Sequence, residues 1–361
     1  MRMNENYQTI LFEGVASQLK SKANCIGQLY GSAMSLAIAE YLIESNNMMV
    51  VITPNIEASE TLLNEINFFN QTNQVIEVLP DLEILPYDIS PPNIDTVSKQ
   101  SNILYKLAHK KIDLLIVSAT NLLWRLPPKE YIKNSSLELN INQDFDIDTL
   151  RNQLTSSGYK RVSMVKNPGD FSIRGSLVDL FSPSLDDPLR VDFSDDIIES
   201  LRIFDSENQL TLRKVDQAMI IPANHYPNSS EAFDIFKENM RNSFEGNQMD
   251  WPLYNFIETD AASYGVHNYI PLFFKSMDSI WDYVEDNAHI YCMSESMESI
   301  RVHQKLIEER YESVKENDQP MMKPNDLFIN SNAQIEIIKS KEPVTLQSVK
   351  FRLNKKKIII Y

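Results

Sequence analysis

Cysteine is scarce in this chain: two residues in 361, Cys25 and Cys292. A pair so far apart, in no CxxC arrangement, excludes a disulfide framework and points to a reducing compartment. Histidine is almost as rare. His109, His225, His267, His289 and His303 are scattered, with no HExxH and no cysteine at ligand spacing, so the sequence offers no zinc site. No apolar run approaches the ~20 residues of a membrane span, and the opening MRMNENYQTILFEG lacks the charged-then-apolar layout of a signal sequence. A cytoplasmic protein without a membrane partner is expected. Basic charge is short as well: 34 Lys and Arg against 50 Asp and Glu leave a net charge of −16. That excludes a surface wrapped throughout by nucleic acid and still allows a local basic patch, because a partner feels the nearby field more than the total.

What the chain has is a length for two or three domains and a hydrophobic fraction of 43%, ample for buried cores. The first third alternates helices and strands. A helix through Leu36, Ala37, Ala39, Glu40 and Ile43, begun at Ser32, precedes the apolar run MMVVIT. The helical EASETLLNEINFF precedes QVIEVL, and SNILYKLAHK precedes IDLLIVSAT. Continuous apolar strands separated by helices imply an α/β fold with a parallel sheet covered on both faces. Pro127 and Pro128 break this pattern and mark a domain boundary. The segment from about 129 to 205 has one helix, IDTLRNQLTSSG, closing at Gly158, and is otherwise strand-like. In LRVDFSDDIIESLRIFD, two alternating runs meet at Ser194-Asp195-Asp196, a hairpin signal. From AMIIPANHYP onward strands and helices mix again, as if the chain returned to the first sheet. The basic ending VKFRLNKKKIIIY has no assignment.

The stretch Ile26 to Pro54 has the layout of a phosphate-binding unit, a Gly-containing loop followed by helix and strand. A P-loop reads G-x-x-x-x-G-K-[ST]; here Gly27 and Gly31 are followed by Ser32-Ala33-Met34, without the lysine. Between Lys22 and Lys99 there is no Lys or Arg at all, while ten Asp and Glu fall in the interval. A helix N-terminus only partly offsets the charge of a triphosphate. LLIVSATN also ends in Ser118-Ala119-Thr120 where magnesium would want a carboxylate. Gly27, Gly31 and Ser32 therefore read as a tight strand-to-helix turn, a nucleotide loop without its chemistry, and no bound cofactor is expected.

One region reverses the acidic sign. GYKRVSMVKNPGDFSIRGSLVDLFSP carries Lys160, Arg161, Lys166 and Arg174 among Tyr159, Phe171 and Phe181. Read as one strand, 171–181 puts Phe171, Ile173, Leu177, Asp179 and Phe181 on a common face and Arg174 on the other. Arginine beside aromatic residues suits a protein interface. It equally suits single-stranded nucleic acid, or a core with a solvated rim, and composition leaves the three open.

Three blocks in order, LPDLEILPYDISPPNIDTVSKQSNILYKL, GYKRVSMVKNPGDFSIRGSLVDLFSP and LRVDFSDDIIESLRIFDSENQLTL, resemble the N-terminal region of the bacterial transcription-repair coupling factor family, Mfd; YGVHNYIPLFF looks like a further piece. The resemblance covers roughly residues 12–340. It implies a UvrB-like architecture: a degenerate P-loop, RecA-like parallel sheet domain (1–126), an inserted α+β domain that docks onto UvrA (127–205), a return to the first sheet (206–342), and a tail (343–361). By motif position it implies UvrA-facing roles for Arg174 and Phe181, and for Lys160 or its neighbour Arg161. Tyr87 is followed by only DISPPNIDTVSKQ, too short for the damage-probing hairpin of UvrB. The resemblance further implies a monomeric adaptor without catalysis of its own. The longer family proteins are expected to meet RNA polymerase and DNA and to use ATP and magnesium through domains that follow. A divergent P-loop ATPase and a DNA-binding repair module are the alternatives.

Overall fold

The computed structural model describes residues 25–27, 29–70 and 73–347. The basic ending from residue 348 lies outside them, as does the side chain of Cys25. In the first third, β1 (Cys25–Ile26), β2 (Met49–Thr53), β3 (Ile76–Leu79) and β4 (Leu114–Ser118) alternate with α1 (Ala33–Glu44), α2 (Ile56–Phe69) and α3 (Ile94–Ala108). The middle contributes α4 (Lys129–Asn134), β5 (Leu137–Asn140), α5 (Ile147–Ser156), β6 (Lys160–Arg161), β7 (Asp170–Arg174), β8 (Leu177–Leu180), β9 (Leu189–Ser194), β10 (Ile197–Phe204), β11 (Thr211–Val215) and β12 (Gln217–Ile220). The last part adds α6 (Ser230–Ser243), α7 (Pro252–Asp260), α8 (Ile280–Tyr283), β13 (His289–Met293), α9 (Ser296–Val314), α10 (Pro324–Leu327), α11 (Ser331–Ser340) and β14 (Val344–Leu346).

Short polar side chains start several of these helices by accepting a backbone N–H that has no partner in the first turn. Asn55 accepts from Ala58 at 2.9 Å, Asp146 from Thr149 at 2.8 Å and Ser229 from Ala232 at 3.3 Å. Ser32 does not act this way. It stands before α1 but makes no capping bond, and its hydroxyl is turned elsewhere, as described below.

The first sheet is six-stranded and wholly parallel, in the order β1-β14-β13-β2-β4-β3. Strands from the two ends of the chain are thus interleaved, with β13 lying against β2 in the register Ile290–Val50. The central strands β2 and β4 are apolar up to a terminal Thr53 and Ser118 because alternate residues feed two cores. Met49, Val51, Leu114 and Ile116 pack under α1 and α2 with Ile38, Leu42, Leu62 and Ile66. Val50, Ile52, Leu115 and Val117 pack on the other face with Leu104, Leu107, Ile300 and Ile338. No helix among the described residues is long and apolar enough to cross a membrane.

The middle stretch builds a second sheet, β11-β10-β9-β8-β7-β6, antiparallel apart from β6 beside β7. One face packs against α5 and the β5–β12 pair through Leu150, Leu154, Phe171, Val178, Leu180, Val191 and Ile220. Two expectations change here. The segment 171–181 is not one strand but a β7–β8 hairpin turning at Gly175-Ser176, with Arg174 opposite Leu177 and Gly175 in the left-handed region at φ 61°. The boundary expected at 205/206 falls inside this unit: β11 continues the sheet beyond it, and β12 pairs back onto β5.

The chain leaves the first sheet for the middle unit through Leu126–Pro127 and comes back through Asn224–Tyr226. At this junction His225 is buried, and burial without a counter-charge pushes its imidazole down to about 4. Burial also lowers His267 and His303. A histidine kept neutral in the fold stabilises it fully above the unfolded-state value near 6.5 and loses that contribution as pH falls toward 4. Acidification from pH 7 to 4.5 will therefore cost on the order of 2 kcal/mol at His225 alone. Urea melts at the two pH values, compared between the natural chain and His225→Phe, measure it; equal pH slopes in the two proteins would refute it.

Candidate functional site

The strand-to-helix loop holds the first group of residues singled out by sequence. Gly31 adopts φ 54°, which suits glycine, and a side chain there would meet open space. Ser32 donates to Glu65 Oε1 at 3.0 Å, and Ser35, one turn on, donates to Glu65 Oε2. A carboxylate from α2 therefore lies against the first turn of α1, whose own first turn contains no acid. Glu65 puts a fixed negative charge where a phosphate loop needs room for an anion. At the far side of the sheet end, Ser118 and Thr120 donate to Asp81 at 2.7 and 2.8 Å, and burial raises that carboxyl despite both bonds. Among the described residues, no group of three or more His, Cys, Asp or Glu is gathered as a metal site requires. Replacing Glu65 by alanine leaves the buried Ser35 hydroxyl without an acceptor, and a loss of about 1–2 kcal/mol in a urea melt is expected.

The second group lies along one edge of the middle sheet. Lys160 and Arg161 form β6, the edge strand, and are both exposed. Arg161 sits opposite Phe171 on β7, and Arg174 lies three residues further along β7, roughly 10 Å at strand rise. The chain after β6 follows β7 outward, so that Ser163 reaches Arg174 and accepts a hydrogen bond from its Nη2 through the backbone carbonyl. That bond ties the exposed Arg174 side chain to Ser163, whose neighbour in the chain, Met164, is an apolar residue 44% exposed. Lys160, Arg161 and Arg174 line this edge as a strip, Lys160 (opposite Asp170) on the sheet face of Arg174 and Arg161 (opposite Phe171) on the other, and they form no ion pair among the described residues.

Phe181 is not part of that surface. Its ring is 8% exposed and packs with Val165 and Phe204, with Val162 against them. Because the hairpin reverses at Gly175-Ser176, Leu180 rather than Phe181 shares the face of Phe171. The aromatic ring expected to meet a partner instead lies beneath the 162–169 segment and supports it. Lys166 stands apart from the strip; its backbone and that of Asn167 donate to Asp170 Oδ2 at 3.2 and 3.0 Å, which closes the turn before β7.

Behind the strip, on the sheet face bearing Arg174, charges are paired. Arg190 grips Asp179 with two bonds of 2.7 and 2.9 Å and lies over the Phe204 ring at 4.6 Å; Arg202 reaches Asp192 at 3.0 Å. The pairing separates structural from available charge: Arg190 and Arg202 are committed to the sheet, Arg161 and Arg174 face outward. Sequence reading passed over Met164, whose exposure depends on the course of the chain after β6. It also passed over Glu65, whose serine partners lie some thirty positions earlier and are brought to it only by the packing of α1 on α2.

Residues 137–226 match the family model of the UvrB interaction domain, which spans the second sheet, α5 and the β5–β12 pair. The transcription-repair-coupling factor of Haemophilus influenzae is 28% identical over 91% of this chain and 28% of its own length. The protein of the same name from Escherichia coli is 33% identical over 69% of the chain and 22% of its own length. That from Staphylococcus aureus is 30% identical over 63% and 20%. The chain spans about a quarter of the length of these relatives.

Proposed function

Since this chain is related to the transcription-repair-coupling factors over most of its length and carries a UvrB interaction domain, we propose that it is the adaptor that recruits UvrA in coupled repair. The observation that supports this best is the strip Lys160-Arg161-Arg174. It is an exposed basic edge without ion pairs among the described residues, with an exposed apolar residue, Met164, in the connecting segment, on a chain whose net charge is −16. Arginine with apolar area is the composition that dominates binding energy at protein interfaces, and electrostatic complementarity to an acidic partner surface speeds encounter. Lys160 keeps the charge at its position without the bidentate fork, which leaves Arg161 and Arg174 as the groups able to grip a carboxylate with two bonds.

In this reading the α1 loop binds no nucleotide. Glu65 and the absence of any Lys or Arg from residue 23 to 98 oppose a triphosphate there. Release of stalled RNA polymerase by ATP-driven movement along DNA, with magnesium, belongs in this proposal to other regions of the family proteins, while the region described here acts as a monomer by recognition.

The test is a calorimetric titration of the chain with purified UvrA, with ATP and a DNA duplex as separate titrants. Saturable binding of UvrA, with no heat from ATP at millimolar concentration, is the expected result. Failure of UvrA to bind, with DNA binding that falls steeply as salt rises, would replace the adaptor by a nucleic-acid module. Saturable ATP binding would overturn the reading of the loop.

A further inference from the structure

A cavity of about 150 Å³ lies at the junction between the first sheet and the middle unit. Its walls are mostly apolar, with Leu82, Val97, Leu126 and Val266 among them, and two imidazoles, His225 and His267, also line it. Cavities of about this size in apolar surroundings accept a benzene ring. Both imidazoles are more than nine-tenths buried, and each has a nitrogen closed off from solvent and without a partner among the described residues: Nε2 of His225 and Nδ1 of His267.

The Nε2 of His267 stands 2.8 Å from the carbonyl oxygen of Asp88, which also accepts from Asn268 Nδ2 at 2.7 Å. A carbonyl oxygen only accepts, so His267 Nε2 carries the proton and donates it. In the neutral ring that burial favours, Nδ1 is then a bare lone pair. A buried acceptor left unmatched costs about 1–3 kcal/mol, so a ligand that donates to it recovers more than one that does not. The walls ask for a small ring and the lone pair asks for a donor.

We propose that this cavity is a binding site for a small monocyclic aromatic molecule bearing one hydrogen-bond donor, of the phenol class, with His267 Nδ1 as the acceptor. Leu126 and Pro127 on the way into the middle unit, and Asn224, His225 and Tyr226 on the way out, all line the same space. An occupant touches both connections at once, and its binding stiffens the attachment of the middle unit to the first sheet. This site is independent of the UvrA-binding reading, since it shares no residue with the Lys160–Arg174 strip.

The experiment titrates the full chain with phenol and, separately, with benzene, following heat and the imidazole ¹⁵N resonances. Phenol is expected to bind saturably and at least tenfold more tightly than benzene, and to move the His267 Nδ1 resonance from its free lone-pair position. Val97→Phe, which places a ring in the cavity from a half-buried position on α3, is expected to abolish the binding without lowering the melting temperature. The ¹⁵N shift in the natural chain keeps the test valid if that variant folds poorly. No saturable phenol binding up to its solubility limit would overturn the proposal. So would equal affinities for phenol and benzene with an unmoved His267 signal, or undiminished phenol binding by a folded Val97→Phe variant.

Discussion

If the chain recruits UvrA as proposed, replacing Arg174 by alanine will weaken that binding by about 2–4 kcal/mol, at least some 30-fold in affinity, and leave the melting temperature unchanged. The two halves of this expectation have separate grounds. Arg174 ends β7, is exposed, and among the described residues its side chain makes one hydrogen bond, from Nη2 to the Ser163 carbonyl at the surface; its loss uncovers no buried group. The guanidinium is nevertheless held in a defined place by its bond to the Ser163 carbonyl, and an arginine already ordered loses less entropy on binding. Arg174→Lys separates charge from shape. Lysine keeps the attraction and the salt dependence but cannot offer two parallel donors, so its loss will fall between wild type and alanine. Calorimetry at two salt concentrations measures all three proteins. Equal UvrA affinity for the natural chain and the alanine variant would remove Arg174 from the interface and, with it, the strongest support for the strip. Phe181→Leu serves as the contrast: because the ring lies beneath the 162–169 segment, its loss should act through stability more than through direct contact.

The parallel sheet could be read from the sequence because its strands are buried on both faces. MVVIT and LLIVS are unbroken apolar runs, and their intervening helices have clear apolar faces. The return of the last part to the same sheet was legible only as a similarity of pattern; the pairing of β13 with β2 links residues about 240 positions apart, which no local signal encodes. In the middle unit, the segment 171–181 shows where simple alternation misleads. The residues packed into the core under α5 fall at 171 and 173 and then at 178 and 180, so the phase flips from odd to even. A strand that kept its phase could not do this; a two-residue turn at Gly175-Ser176 does. The sequence masks the flip, since Leu177 and Phe181 keep the odd positions apolar, and the turn is what moves Phe181 from the face of Phe171 to the opposite one. The candidate strip was half legible. Lys160, Arg161 and Arg174 were marked by charge against an acidic background, but their alignment along one edge needs the parallel pairing of β6 with β7. Glu65 was silent in the sequence, one acid among many, until helix packing brought it to Ser32 and Ser35.

Asp179→Ala will be among the most damaging single substitutions in the middle unit, at about 3–5 kcal/mol in a urea melt. Asp179 is 5% exposed and lies in β8 at the centre of the second sheet, where it accepts both bonds of the Arg190 fork at 2.7 and 2.9 Å. Its hydrogen-bonded carboxylate is the first cause of the raised pKa of Arg190, so the cation depends on this one partner more than on its surroundings. Truncating the acid leaves a guanidinium that cannot deprotonate, partly buried over the Phe204 ring and without its counter-charge. The cost comes from that stranded charge rather than from the worth of the pair, and this distinction can be tested. Asp179→Leu combined with Arg190→Met removes both charges and keeps the volume, so the double variant should recover most of the lost stability. The same pair of proteins also tests the separation of structural from available arginines. Arg190→Met with Asp179→Leu should bind UvrA like the natural chain, because neither residue belongs to the exposed strip. A double variant as unstable as Asp179→Ala would mean that the ion pair itself stabilises the sheet; a stable double variant that no longer binds UvrA would extend the interface inward from Arg174 across the face of the sheet.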